Sequence, residues 1–173
     1  MKELPKRKPN RLKNYDYSQN GAYFVTICAK NREELFGSVV PVGATVPGRP
    51  QVVLNDIGDA VETAILHNNR NDFIIDRYVI MPNHIHMIVV MSSEAGDRGR
   101  VEAGDRGRSP LQTEIRNMKA YITKKIGFSP WQKSFHDHII RDENGYRRIA
   151  EYVENNPQTW TEDCFYTGGN QSV

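Results

Sequence analysis

Residues 81–90, MPNHIHMIVV, set two histidines one residue apart inside a run of large apolar side chains. After the Pro82–Asn83 break the run is rich in β-branched and apolar residues, which favours a strand. Alternation along a strand puts His84, His86, Ile88 and Val90 on one face, and Ile85, Met87, Val89 and Met91 on the other. The two imidazoles then stand side by side, close enough to hold one cation. In a chain with five histidines such a pair arises by chance often enough that alone it decides little. A second pairing lies in EYVENNP (151–157), where Tyr152 and Asn156 are four residues apart. On a helix both project from one face, a turn from each other. Tyr146, Ile149, Tyr152 and Val153 could equally form an ordinary amphipathic stripe.

These residues need elements to hold them. GAYFVTICAK (21–30) reads as a first strand, and FGSVV and QVVL as two short strands around the Pro/Gly-rich PVGATVPGRP. Residues 55–69 have apolar side chains at 57, 61, 64 and 65, the interval of a helix capped by Asn55 or Asp56. DFIIDRYVI and HIHMIVVM, joined by the tight turn MPN, form an antiparallel hairpin. A second helix, 109–127, opens on a Ser cap with Pro in its first turn and closes on Gly. SFHDHIIR (134–141) is a last strand, and 142–157 a third helix stopped by Pro157. QTWTEDCFYTGGNQSV trails off without clear structure. The core order of strand, helix, strand, strand, helix, strand is the ferredoxin-like split βαβ pattern. The expected class is α+β, with an antiparallel sheet covered on one face by two helices. The other face is left to carry a site, with a C-terminal helix bearing the tyrosine.

With 173 residues the chain fits one domain and its tails, and 38% hydrophobic content points to long loops or termini outside the core. The divisions are a basic arm (1–20), a folded domain (21–160) containing a flexible loop (92–109), and a tail (161–173). That loop holds EAGDRGRV and EAGDRGRS, an eight-residue unit written almost twice, with balanced charge and too few apolar residues for a core. No apolar run approaches the ~20 residues that cross a membrane, and no signal peptide is apparent. Cys28 and Cys164 lack metal-like spacing and read as plain thiols of a reducing cytoplasm. Net charge is +2 but polarised: residues 1–14 hold six Lys/Arg against one acid, leaving 17 against 20 in the remainder. Lys6, Arg7, Lys8 and Arg11 in this arm suit nucleic-acid phosphates as well as they suit a solvated tail.

MPNHIHMIVV, WQKSFHDHIIRDE and YVENNP, in that order, resemble the single-tyrosine HUH transposases of bacteria, and most of all the REP-associated tyrosine transposases. The opening RLKNYDYSQNGAYFVTIC is similar to the same branch, so the resemblance runs from Arg11 to Trp160. It implies that His84 and His86 bind a metal, that Asn156 is a third ligand through its amide oxygen, and that Tyr152 is the nucleophile. The implied activity is that of an HUH-type endonuclease and strand transferase. Such an enzyme cuts single-stranded DNA, often beside a hairpin, and becomes joined to the 5′ phosphate. The freed 3′ hydroxyl can later reverse the step. Mg²⁺ or Mn²⁺ is the implied ion: two imidazoles favour Mn²⁺ in affinity, while Mg²⁺ is abundant in cells. The enzyme would work as a monomer or homodimer.

Weaker candidates surround this set. Arg116 and Lys119 on the second helix could contact DNA phosphates. His136 and His138 alternate on the last strand, where a structural role is favoured over ligation. Trp160 could stack on bases, as could Trp131, for which core packing is favoured. Tyr146 is a decoy nucleophile, since position 150 is alanine rather than an amide. Other histidine-based hydrolases fit poorly, because position 88 is Ile where they need a third histidine or an acid. A barrel amidohydrolase needs ~250 residues. Rolling-circle initiators place a lysine three residues after the tyrosine, where this chain has Asn155. A DNA-hairpin binder without chemistry is the competing reading. If the basic arm holds DNA, removing residues 1–13 will weaken binding. It will also flatten the plot of log affinity against log salt, by ~0.7 for each single-strand phosphate that the arm neutralises. An unchanged slope would show the arm to be idle.

Overall fold

The structure, a computed structural model, describes residues 20–40, 50–92 and 109–168. The basic arm with Lys6, Arg7, Lys8 and Arg11, most of the Pro/Gly-rich loop and the repeat lie outside the described residues. Among the described residues six strands and three α-helices follow in order: β1 (Gly21–Cys28), β2 (Gly37–Val40), β3 (Gln51–Leu54), α1 (Asp56–His67), β4 (Phe73–Met81), β5 (His84–Met91), α2 (Pro110–Ile126), β6 (His136–Ile140) and α3 (Glu143–Asn155). The main sheet has the order β4-β5-β1-β6 with every pair antiparallel. Its first and third core strands are central and its second and fourth are edges, as the split βαβ pattern requires. β2 and β3 pair only with each other, as a separate small sheet.

Alternation along the central strands sorts the two faces. Tyr23, Val25 and Ile27 of β1, with Ile85, Met87 and Val89 of β5, point to the side covered by α1 and α2. Val61, Ala64 and Ile65 of α1 meet them there, as do Leu111, Ile115, Met118 and Ile122 of α2. The opposite side of the same strands carries Phe24, Thr26, Cys28, His84, His86 and Ile88, and α3 lies over it.

Local signals explain the element ends. Asn55 caps α1 by accepting from the Ile57 and Gly58 amides at 3.1 and 3.0 Å. Ser109 and Gln112 exchange side-chain and backbone bonds as a capping box, with Pro110 in the first turn of α2 and Gly127 left-handed (φ 85°) beyond its end. Pro82 and Asn83 form the two-residue loop between β4 and β5, since Met81 and His84 pair directly. Pro157 does not end the third helix in the way the sequence suggests. The α-helix gives way at Asn155, and the chain continues as a 3₁₀ helix over Asn156–Glu162 with Pro157 in its first turn. Proline lacks only a donor that a first turn leaves unused, so helical winding persists in tighter form. Residues 161–166, part of the segment expected to trail off, therefore stay on the body of the protein.

One packing contact reverses an ordinary expectation. Gly58 sits in the first turn of α1 against the strand below, and a Cβ there would come 2.1 Å from the Phe36 carbonyl oxygen and 3.0 Å from the Leu54 Cβ. Replacing a helical glycine by alanine normally stabilises by about 1 kcal/mol. Here the overlap with fixed backbone dominates, and Gly58→Ala is expected to destabilise by about 1–3 kcal/mol. Urea unfolding checks the sign.

Candidate active site

β5 supplies the first two groups. His84 and His86 are at most 1% exposed, and their rings meet edge to face with centroids 4.4 Å apart. Each is held by its outer nitrogen. Thr26, directly across on β1, places its Oγ1 2.8 Å from His86 Nδ1. The Asn83 Oδ1 lies 2.9 Å from His84 Nδ1.

The junction of α3 with the 3₁₀ helix supplies the next groups. Tyr152, 41% exposed, keeps one side open to solvent, while its hydroxyl lies 3.2 Å from His86 Nε2. Its ring stands edge-on to Phe24 at 6.0 Å. Asn156 is fully buried one turn further on, as the four-residue spacing implies.

Asp163 gathers the two. Its Oδ2 accepts from the Tyr152 hydroxyl at 3.2 Å and from the Asn156 amide at 3.0 Å, and its Oδ1 accepts from the Phe165 N–H at 2.7 Å. His84, His86 and Asp163 each offer one ligand atom within 4.8 Å of the others. Two atoms bear on what this arrangement can hold: His84 Nε2 and Asn156 Oδ1 are buried with no hydrogen-bond partner. Unpaired lone pairs in a dry place are costly unless something positive meets them. The donor set therefore fits a divalent cation.

Electrostatics agree. Burial pushes His84 down to about 4, with Arg32 adding to the fall and Asp163 opposing it. Burial and the neighbouring His84 push His86 down to about 3. Both imidazoles are thus neutral at pH 7, the form that binds metal. Burial and the Asp163 charge push the Tyr152 hydroxyl up to about 12. For Asp163, burial acts upward but is outweighed by the Phe165 N–H, the Asn156 amide and the two histidines, and its carboxyl ends below its ordinary value.

The remaining candidates fall elsewhere. His136 and His138 are exposed and pair with Thr26 and Phe24, so β1 stands between them and the His84–His86 pair. Two strand spacings, about 10 Å, separate the pairs. Tyr146 donates to the Asp76 carboxylate on β4 and is committed there. Trp160 is not a free stacking platform: it is 7% exposed, packed 5.9 Å from His84 and edge-on to Tyr166. Trp131 belongs to the core, its indole N–H donating to the Lys119 carbonyl at 3.1 Å. The Lys119 ammonium donates to the Gln132 carbonyl at 2.8 Å, and Arg116 is exposed on the same helix. Both lie on α2, across the sheet from Tyr152.

Thr26, Asn83, Asp163 and Phe165 were not legible as site residues. A lone hydroxyl in the apolar strand VTIC is a signal for Thr26. Asn83 reads as an ordinary turn residue. Nothing in TEDCF marks Asp163 or Phe165, whose ring lies tilted 4.6 Å from His84 and edge-on 5.9 Å from His86.

No protein-family model matches the chain. It is 34% identical over 177 residues to an uncharacterised protein of Haemophilus influenzae, covering 92% of this chain and 93% of that protein. Among solved structures it is similar to a REP-associated tyrosine transposase bound to a REP hairpin. The TM-score is 0.56 and the identity 22%, over 85% of this chain and 73% of the other.

The depressed histidines give the metal-free protein a defined acid response. The unfolded chain takes up protons on both rings below about 6.5, whereas the folded protein resists until about 4 and 3. Stability is therefore complete above the unfolded value and lost as pH falls through this window, with a slope approaching two protons. Urea midpoints of chelator-treated protein between pH 7 and pH 4 should show this, and the His84→Gln/His86→Gln double variant should flatten it. An equally steep fall in that variant would assign the response to other groups.

Proposed function

We propose that this chain, which belongs to the family of the Haemophilus influenzae protein and has the fold of a REP-associated tyrosine transposase, cuts and rejoins single-stranded DNA through a 5′-phosphotyrosine bond. One observation carries this reading. The buried, unpaired His84 Nε2 and Asn156 Oδ1 lie in the same cluster as the hydroxyl of a half-exposed tyrosine. His84, His86 and Asn156 would hold a divalent ion, Mg²⁺ or Mn²⁺. Bound there, the ion supplies positive charge to offset the negative charge gathering on the phosphoryl oxygens and the leaving 3′ oxygen.

The chain's own groups do the rest. A hydroxyl held up to about 12 is protonated at neutral pH and needs a proton acceptor as it attacks. A cation on His86 would take the Nε2 lone pair, and that nitrogen would then no longer bond the Tyr152 hydroxyl. Asp163 then remains as the acceptor touching the hydroxyl. The Tyr152 Oη–P bond forms, the P–O3′ bond breaks, and the tyrosine proton passes to Asp163 and from it through solvent to the departing 3′ oxygen, which leaves Asp163 ionised again. Rejoining runs the same steps backward. The open side of Tyr152 admits the strand, and hairpin-flanked single-stranded DNA is the proposed substrate. No helix among the described residues is long and apolar enough to cross a membrane. We place the reaction in the cytoplasm, by one copy or two.

Tyr152→Phe removes the attacking atom while leaving the histidines and Asn156 in place. With single-stranded hairpin DNA labelled 3′ of the cut and Mn²⁺ present, a denaturing gel should show label migrating with wild-type protein. Tyr152→Phe should show none, whereas Tyr146→Phe should keep it. An adduct persisting in Tyr152→Phe would overturn the nucleophile. Tight hairpin binding by the wild type with no metal-dependent cleavage would mark a DNA binder instead.

A further inference from the structure

We infer that Asn83 is a positioning residue: its side chain fixes the tautomer of His84 so that the Nε2 lone pair is turned to the cation the site would bind. This rests on the reading of His84 as a metal ligand, and it gives a role to a residue that the sequence offers only as part of a turn.

The argument begins with the amide's own orientation. The Asn83 side chain is fully buried, and its nitrogen donates to the Phe165 carbonyl at 2.8 Å and the Arg32 carbonyl at 3.3 Å. A carbonyl oxygen only accepts. Turning the amide over would set its oxygen against both carbonyls, so the donor side is fixed. The Oδ1 must then face His84, 2.9 Å from Nδ1. An acceptor at that distance requires a proton on Nδ1. A neutral imidazole carries one N–H, so Nε2 keeps its lone pair, and Nε2 is the ring nitrogen that is buried without a partner. His86 differs here. Its Nδ1 meets the Thr26 hydroxyl and its Nε2 the Tyr152 hydroxyl, and since either hydroxyl can donate or accept, neither partner alone dictates its tautomer.

Asn83 is itself pinned. Its backbone carbonyl accepts from Ala29 N at 2.8 Å, and it closes the hairpin that starts β5 at His84. The Arg32 carbonyl that it holds belongs to a turn where Asn31 and Arg32 both adopt left-handed backbone (φ 57° and 59°). One side chain thus ties together the turn after β1, the segment carrying Phe165, and the ring of His84. A second partner on a ligating histidine sets its orientation and basicity, and its loss typically weakens metal binding 10–100-fold.

Long-range ¹H–¹⁵N NMR on the metal-free wild-type protein near neutral pH reads which ring nitrogen of His84 carries the proton. The expected result is a protonated Nδ1 and a bare Nε2. A proton on Nε2 overturns the inference without recourse to any variant. Asn83→Leu removes the acceptor, and should release the proton to Nε2 and weaken Mn²⁺ binding by about 10–100-fold in calorimetry. Unchanged tautomer and affinity in a folded Asn83→Leu would also overturn it. A wild type with the expected tautomer that binds no Mn²⁺ would instead overturn the metal-site reading.

Discussion

Two neutral imidazoles stand side by side on a buried sheet face, and most of the surrounding arrangement follows from removing them from water. Each ring has two polar nitrogens, and a buried nitrogen without a partner costs on the order of 1–3 kcal/mol. Thr26 and Asn83 meet the outer nitrogens, and the Tyr152 hydroxyl meets His86 Nε2. His84 Nε2 alone is left unmatched, and so is the oxygen of Asn156. Aromatic rings close the rest: Phe165 and Trp160 lie against His84, and Phe24 lies 5.0 Å from His86. The walls that dry the site also hold its histidines neutral.

The same dryness works against the hydroxyl proposed as nucleophile. Burial and a neighbouring carboxylate stabilise the protonated hydroxyl of Tyr152. A cation held by the histidines and Asn156, as proposed, would oppose that bias, since an opposite charge close by favours the phenolate. In that reading cation and nucleophile would be coupled through shared electrostatics as well as shared geometry. Asp163 belongs to both halves, with a carboxylate oxygen within 4.8 Å of the histidine nitrogens and a hydrogen bond from the tyrosine.

The sequence discloses the parts of this site that depend on local periodicity. A period of two is enough to put His84 and His86 on one face, and a period of 3.6 to stack Tyr152 with Asn156. Capping residues at Asn55, Ser109 and Gly127 mark helix ends for similarly local reasons. What depends on tertiary register stays hidden. Asp163 reaches the cluster because the chain keeps winding as a 3₁₀ helix past Pro157, so the stop signal misleads. Trp160 turns inward for the same reason, against the expectation of a surface ring. The HDH pair on β6 looks like the pair on β5 in sequence, yet β1 runs between them.

The hairpin loop of Pro82 and Asn83 sets the phase of the strand that follows it. A strand has two faces and an alternating side-chain code, so its meaning is decided by parity. One residue added to this loop would slide β5 by one position. Ile85 and Met87 would then line the cluster, and both imidazoles would enter the apolar layer beneath α1 and α2. Length change here is tolerable only in even steps, and even those would separate Asn83 from its neighbours. The shortest connection in the sheet is thus the least editable stretch of the chain, and it shields the histidine pair from drift by insertion.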